Sequence, residues 1–388
     1  MSFFNVLRGE AKLIFSDIAI VLTIIGGVVL YSFLYPQPYG KQSVSSLHVS
    51  VVDLDRSDVS RQIIYELNAT PQVDVVRVDV SKRDALEALE KKELKAVVII
   101  PAHFKRDLAL LKSPTIALGV DSSYFLIYGA VLEGAMKSVM TYSTKIKVVN
   151  LLKSQVPISK AKTSSSAYSL KTINLFNKEN SYTQYVVPAV FILILQQTLL
   201  IGLGILGGGV NEGLRDKKYL HYGSAKTWYV ILSRYLIFGL IFFVHMLFYF
   251  GFSYKVFEIT HLALRSELLA FGVIFLLAVM ALGTFLGSLF RSREIATPIV
   301  LFSSLPLVFS VGFIWPLEAI PSFIHYLSYI SPSTPAIMGF LKLNQMGASL
   351  SMVVDEIFIL LIQAIFYTIF GYYIINTNKQ KFVKNQQQ

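Results

Sequence analysis

Six stretches carry no charged side chain, one near the amino terminus and five crowded into the carboxy-terminal half. They lie within Ile18 to Gly40, Asn180 to Asn211, Tyr235 to Tyr254, Leu268 to Phe290, Ile295 to Leu317 and Ile357 to Asn378. At a rise of 1.5 Å per residue, about twenty apolar residues cross a hydrocarbon core of about 30 Å, so each stretch is long enough to span a bilayer as a helix. The segment between the first two is long and holds most of the charge. The expected fold is therefore an α-helical polytopic membrane protein with six transmembrane helices, one plus five, and an inserted extracytoplasmic α/β domain between spans one and two. The expected boundaries are a cytoplasmic amino-terminal segment at 1–17, the first span at 18–36, the extracytoplasmic domain and its connector at 37–182, and a five-helix membrane domain at 183–378. That last domain includes a cytoplasmic loop at about 209–228 and external broken helices at about 316–350, and a cytoplasmic tail follows at 379–388.

Of 388 residues, 54% are hydrophobic and only 15% charged, well below the charged fraction of about a quarter found in soluble domains. The formal net charge is +11, but the basic residues sit beside the spans or are scattered over the intervening domain without an aromatic-rich basic motif, so no nucleic-acid partner is expected. Cysteine is absent and the six histidines are dispersed, which excludes disulfides and thiolate metal sites and leaves no ligand spacing for a metal. The first apolar stretch follows Arg8 and Lys12 and runs into Pro36 and Pro38. That pattern reads as a retained anchor and not as a cleaved signal peptide.

Basic residues near span ends set orientation. With the amino terminus inside, the cytoplasmic segments hold Arg8, Lys12, Arg215, Lys217, Lys218, Lys226, Arg234, Arg291, Arg293, Lys379, Lys381 and Lys384, while the short opposite segments hold only Lys255, Arg265 and Lys342. The sequence thus predicts a multi-pass membrane protein with both termini cytoplasmic. Ala319 to Leu341 is also uncharged, but Pro321, Pro332 and Pro335 interrupt it. Each interior proline removes a backbone hydrogen bond, so the stretch is expected to form a broken pair of short helices at the outer face.

Between the first two spans, β-branched runs alternate with helical patterns. Strands are expected ending at Asp55, over Val73 to Val78, up to Ile100 and up to Asp121. Helices are expected from Ser57, from Ser81, through Phe104 and Leu108, and in one long run to about Leu152, which together describe an α/β layer. Asp53, Asp55 and Asp58 have hard-cation chemistry, but they are read instead as a strand end followed by a helix start, because aspartate favours both the turn and the helix dipole. His103 reads as a helix-surface residue. No catalytic spacing is found.

Within the spans, Gln196, Gln197, His245 and Gln363 are costly against lipid and are expected to face the bundle or a cavity, as part of a translocation path or as interhelical polar contacts. Gly202, Gly204, Gly207, Gly208 and Gly209 follow no strand and are expected to permit close helix packing or a bend.

The loop "NEGLRDKKYLHYGSAKTWYVILSRYL" (Asn211 to Leu236) is charged and amphipathic, with a helical segment from Glu212, a break at Gly223 and a second segment led by Ser224. It resembles the coupling-helix region of permease subunits of type-2 ATP-binding-cassette exporters. "VSVVDLDRSDVSRQIIYELNATPQVDVV" and "LKAVVIIPAHFKRDL" resemble the extracytoplasmic domain of the subfamily with a large insertion after the first span. "GFIWPLEAIPSFIHYLSYISPSTPAIMGF" resembles its proline-rich external helices, with Trp315, Pro316, Glu318, Pro321 and Pro332 in the family's order. Ala225 stands where the family commonly has proline, and Lys217-Lys218 where a Gly-Thr pair is common.

The resemblance implies that Glu212, Arg215, Asp216 and Lys217 form the surface that receives ATPase motion. No phosphate-loop motif is present, so the chain is not expected to be an enzyme or to bind a cofactor itself. ATP and Mg would belong to a separate ATP-binding-cassette ATPase subunit. The further implied partners are a second permease copy, as a homodimer or related heterodimer, membrane lipid, and a periplasmic adaptor protein with an outer-membrane duct.

The function expected is the permease of an ATP-driven exporter for a hydrophobic or amphipathic substrate such as a drug, lipid or peptide. A membrane receptor with an extracytoplasmic ligand-binding domain is the alternative, though it calls for a cytoplasmic signalling domain. An ion-coupled transporter calls for intramembrane carboxylates or inverted repeats, and the spans contain neither.

Overall fold

The computed structural model describes residues 1–39, 45–110, 112–120, 125–153, 181–215, 225–314 and 317–387. They fall into two compact units, one made of Met1–Gln42 with Asn174–Gln388, the other of Ser43–Ile173. In chain order, α1 (Phe3–Ser16) and α2 (Ile18–Leu34) come first. The smaller unit then contributes β1 (Leu47–Asp53), α3 (Asp58–Asn68), β2 (Val73–Asp79), α4 (Lys82–Glu90), β3 (Ala96–Ile100), α5 (Phe104–Ala109), β4 (Ala117–Val120) and α6 (Phe125–Lys153). The larger unit resumes with α7 (Val186–Arg215), α8 (Thr227–Leu247), α9 (Arg265–Leu289), α10 (Ala296–Ser310), α11 (Ser322–Ser328), α12 (Ser333–Phe340) and α13 (Val354–Gln387).

Five helices of the larger unit are long and apolar enough to cross a membrane, and α2 makes a sixth if its bent pairing with α1 counts as one span. The protein is a multi-pass helical membrane protein. The bend between α1 and α2 is 78°, and Asp17 accounts for it locally. Its backbone is extended, and its Oδ1 accepts from the amides of Ala19 (3.0 Å) and Ile20 (3.4 Å), starting a new helix one residue after the old one ends. Helix α7 is enclosed along nearly its whole length, whereas α10 and α13 leave most of their surface uncovered. The α7–α9 contact is close because glycines face each other. A Cβ on Gly207 would lie 2.4 Å from the Gly287 carbonyl oxygen, and one on Gly287 would lie 2.6 Å from that of Leu203. Small residues let helix backbones approach in this way where no hydrophobic force separates helix from lipid. Gly209, by contrast, has nothing within 4 Å of its Cβ position.

The uncharged stretch interrupted by prolines forms two short helices, α11 and α12. Pro321 and Pro332 stand at their N-caps, where a missing amide costs nothing.

In the smaller unit the strand order is β2-β1-β3-β4, with β1 parallel to both β2 and β3, and β4 antiparallel to β3. Parallel neighbours need a crossover, and α3 and α4 supply them. Alternation along the strands builds two faces. Val49, Val51, Val98 and Ile100 pack with Ile63 and Leu67 of α3 and Val131 of α6, while Val52 and Val97 pack with Ala85 and Ala88 of α4. Both crossover helices start on a serine cap: Ser57 accepts from Ser60 N at 3.1 Å and Ser81 from Asp84 N at 3.4 Å.

The three aspartates at the β1 end are occupied by protein groups. Asp53 accepts from the amides of Asp55 and Arg56 and, at 2.7 Å, from Ser60 Oγ; Asp55 accepts from Lys105 N; Asp58 pairs with Lys105 Nζ at 2.5 Å. The Lys105 hydrogen bond holds the Asp58 carboxyl below its ordinary range. His103 is exposed, at φ 64°, immediately before α5.

Candidate functional site

Two of the polar gatherings in the larger unit take in residues singled out from the sequence, and the first is where α1, the ends of α7 and α13, the start of α8 and the α9–α10 connection meet. Asn211, in the last turns of α7, donates from Nδ2 to the carbonyls of Phe290 (2.8 Å), Ser288 (3.2 Å) and Gly287 (3.4 Å). Asn378 of α13 adds a bond to Ser288 O at 3.3 Å. The last carbonyls of a helix lack intrahelical partners, so two asparagines from other helices cap α9.

Next to Asn211, Glu212 Oε1 accepts from the backbone amide of Arg293 at 3.3 Å. The Arg293 guanidinium in turn sits 2.9 Å from both carboxylate oxygens of Asp17, the residue at the α1–α2 bend. Three segments far apart in sequence are thereby joined through one arginine.

Arg234 of α8 donates from Nε to Glu10 Oε2 of α1 at 2.9 Å, with both side chains only 2% exposed. Lys379 of α13 donates to the Ala225 carbonyl, and Thr227 Oγ1 to Asn376 Oδ1 at 3.1 Å. A small pocket lined by Gly207, Asn211, Arg234, Ser288, Asn378 and Lys379 lies among these groups. Its donors face the carbonyl end of α9, so charge is balanced by a helix dipole as well as by Glu10.

The second gathering surrounds the break between α11 and α12. Gln196 of α7 donates from Nε2 to Ser331 Oγ at 2.8 Å; Gln363 and Tyr367 of α13 donate to the carbonyls of Tyr329 and Ile330, both at 2.6 Å. Within the break, Thr334 Oγ1 donates to Ser328 O at 2.8 Å. Irregular backbone in an apolar unit leaves carbonyls that must be satisfied from neighbouring helices, and these side chains do that.

His245 and Tyr249, four residues apart on α8 and its continuation, reach backbone groups four residues apart on α2. The His245 ring faces the Ile24 backbone, and the Tyr249 hydroxyl donates to Val28 O at 2.8 Å. Ile24 lies in the π turn Leu22–Gly27, where the regular i to i−4 ladder is interrupted. Among the described residues, neither amide atom of the buried Gln197 has a partner, nor does His245 Nε2.

Of the residues singled out from sequence, Gln196 and Gln363 thus meet at one helix break, His245 faces a different helix, and Gln197 joins neither. Glu212 faces the α9–α10 connection, and the α7 backbone ends at Arg215. Asp216 and Lys217 lie outside the described residues, as do Trp315 and Pro316. Glu318 is exposed in a short 3₁₀ turn. Sequence reasoning missed Glu10, Asp17 and Asn211, and used Arg234 and Arg293 only as orientation charges. A lone carboxylate on α1 carries no local signal of a partner 224 residues away. The only hint is that Glu10 falls on the same buried helical strip as Val6 and Ile14, four residues to either side.

No curated protein sequence matches the chain. Residues 18–373 match the family described as ABC-2 family transporter protein, a span that takes in α2, Glu212, Arg293, the whole of the second polar gathering and nearly all of the five long helices. The chain therefore belongs to the ABC-2 transporter family, as a membrane permease component whose ATPase is carried on a separate subunit.

Proposed function

We propose that this permease exports a hydrophobic or amphipathic compound, of the drug, lipid or peptide type, outward across a bacterial inner membrane, driven by an ATP-binding-cassette ATPase that holds the ATP and Mg. The observation that carries the reading is the junction of Glu212, Arg293 and Asp17 within a chain of this family. Force applied beside Glu212 would pass through these contacts to the α9–α10 connection and to the α1–α2 bend.

In this reading Glu212, Arg215, Asp216 and Lys217 form the ATPase-facing surface, and both termini are cytoplasmic. The excess of basic residues on the segments around this junction supports that orientation. The Ser43–Ile173 unit then lies outside, where it meets substrate or an adaptor leading to an outer-membrane duct. A second copy, identical or related, completes the path, and motion between protomers opens it. Gln197 and His245, with unpaired buried polar atoms, are the span residues offered to that path, while Gln196 and Gln363 hold the helix break.

The test is ATP-dependent accumulation of an amphipathic fluorescent dye in inverted membrane vesicles containing the chain and its ATPase. Accumulation that requires ATP and is lost in a Glu212→Ala/Arg215→Ala variant is expected. Dye movement that is independent of ATP, or unaffected by the variant, contradicts the proposal.

A further inference from the structure

The outward face of α1 has a composition that neither the polar junction nor the transport reading uses. Phe4, Arg8, Lys12 and Phe15 are all exposed, Phe4 by 77%. At 100° per residue they fall within an arc of about 80°. The opposite strip, Val6, Glu10 and Ile14, is buried. The helix has one acidic residue, and it is the one turned inward to Arg234, so the charge on the exposed face is purely cationic.

The start of α8 continues the same chemistry. The rings of Trp228, Tyr229, Phe3 and Phe4 form a chain with successive centroid distances of 5.2, 5.7 and 5.9 Å, and Lys226 Nζ stands 5.8 Å over Tyr229. Trp228 is 53% exposed. Among the described residues none of Arg8, Lys12 and Lys226 has a carboxylate partner.

We propose that this face, Phe4, Arg8, Lys12 and Phe15 of α1 with Lys226 and Trp228 at the foot of α8, docks on an anionic phospholipid surface. With α2 running across the bilayer, the 78° bend between them would lay α1 near the membrane plane and bring the strip to headgroup depth. Aromatic rings at both ends of the strip are suited to the acyl boundary, and the cations between them, on flexible stems, to lipid phosphates. Because Glu10 ties the buried side of α1 to α8, a lipid that grips the outer side also fixes the foot of α8. The inference depends on membrane insertion alone and stands or falls separately from the exporter reading.

The experiment titrates the full chain, in neutral detergent, with phosphatidylglycerol or phosphatidylcholine and counts bound lipid by native mass spectrometry. Preferential retention of phosphatidylglycerol is expected. Each basic residue near an anionic surface contributes enough that removing it weakens binding about fivefold, so Arg8→Gln/Lys12→Gln/Lys226→Gln should abolish the preference and leave phosphatidylcholine binding unchanged. The charge-preserving Arg8→Lys/Lys12→Arg/Lys226→Arg should keep the preference, and Phe4→Ser/Phe15→Ser should weaken both lipids alike. An unchanged preference in the triple glutamine variant overturns the proposal. So does an equal loss in Lys255→Gln/Arg265→Gln, which would mark bulk charge as the cause. A triple glutamine variant that sheds a co-purifying ATPase while keeping its lipid also overturns it, by assigning the face to protein.

Discussion

Arg234 and Glu10 form an ion pair at 2.9 Å that is almost wholly shielded from solvent. Two charges taken out of water repay their desolvation only while both are present, so removing one is far more damaging than removing both. Glu10→Ala should destabilise the protein by about 3–5 kcal/mol, seen as a lower thermal midpoint in detergent. Adding Arg234→Leu to it should restore much of the loss. A double variant as unstable as the single one would mean that Arg234 is held mainly by its other partners.

The glycines of α7 differ in what surrounds them. Gly207→Ala should force α7 and α9 apart, because the new methyl would meet the Gly287 backbone at 2.4 Å and backbone cannot rotate away. Overpacking of this kind costs about 1–3 kcal/mol. Gly209→Ala, placed in open space, should instead be neutral or gain up to about 1 kcal/mol from helix propensity. Parallel thermal unfolding of the two variants distinguishes the cases.

At the α11–α12 break, Gln363→Leu removes the donor to Tyr329 O while keeping a side chain of similar size. Interhelical hydrogen bonds in membrane proteins average about 0.6 kcal/mol, so the global cost should be small. Local opening is the better readout: amide hydrogen exchange at 329–334 should rise, with exchange in α9 unchanged.

In the smaller unit, burial pushes the Asp79 carboxyl up, but hydrogen bonds from Arg77 Nε (2.8 Å) and Ser50 Oγ (2.5 Å) outweigh it and leave the group below its ordinary value. A carboxylate depressed on folding adds stability above its unfolded pKa, and that stability disappears as pH falls through the folded pKa. Protection of β1 and β2 amides in the full chain should therefore weaken below about pH 4, and Asp79→Asn should flatten that dependence.

How much of this was legible in the sequence depends on the range of the interaction. Local patterns carried well: Ser57 and Ser81 cap helices, Val73 begins a strand, and Pro321 and Pro332 divide an uncharged stretch into two short helices. Span composition also placed Gln196 and Gln363 inside the bundle, because lipid excludes an unsatisfied amide. Their common target, the carbonyls and hydroxyl of a helix break, was not legible, since it joins positions far apart along the chain. The same holds for the Asp17–Arg293–Glu212 junction. Each of those residues has an adequate local explanation as a cap, an orientation charge or a loop acid, and only the fold reveals that they meet. Gly207 and Gly209 looked alike in the sequence and differ only in the neighbour that the fold presents.

The central claim, a permease worked by a separate motor, is tested most directly by affinity purification of the intact chain in mild detergent, with mass spectrometry and an ATPase assay on the eluate. The account predicts a stoichiometric ATP-binding-cassette ATPase with measurable hydrolysis, both lost on Glu212→Ala/Arg215→Ala. A well-folded chain that repeatedly purifies alone and without ATPase activity would contradict it.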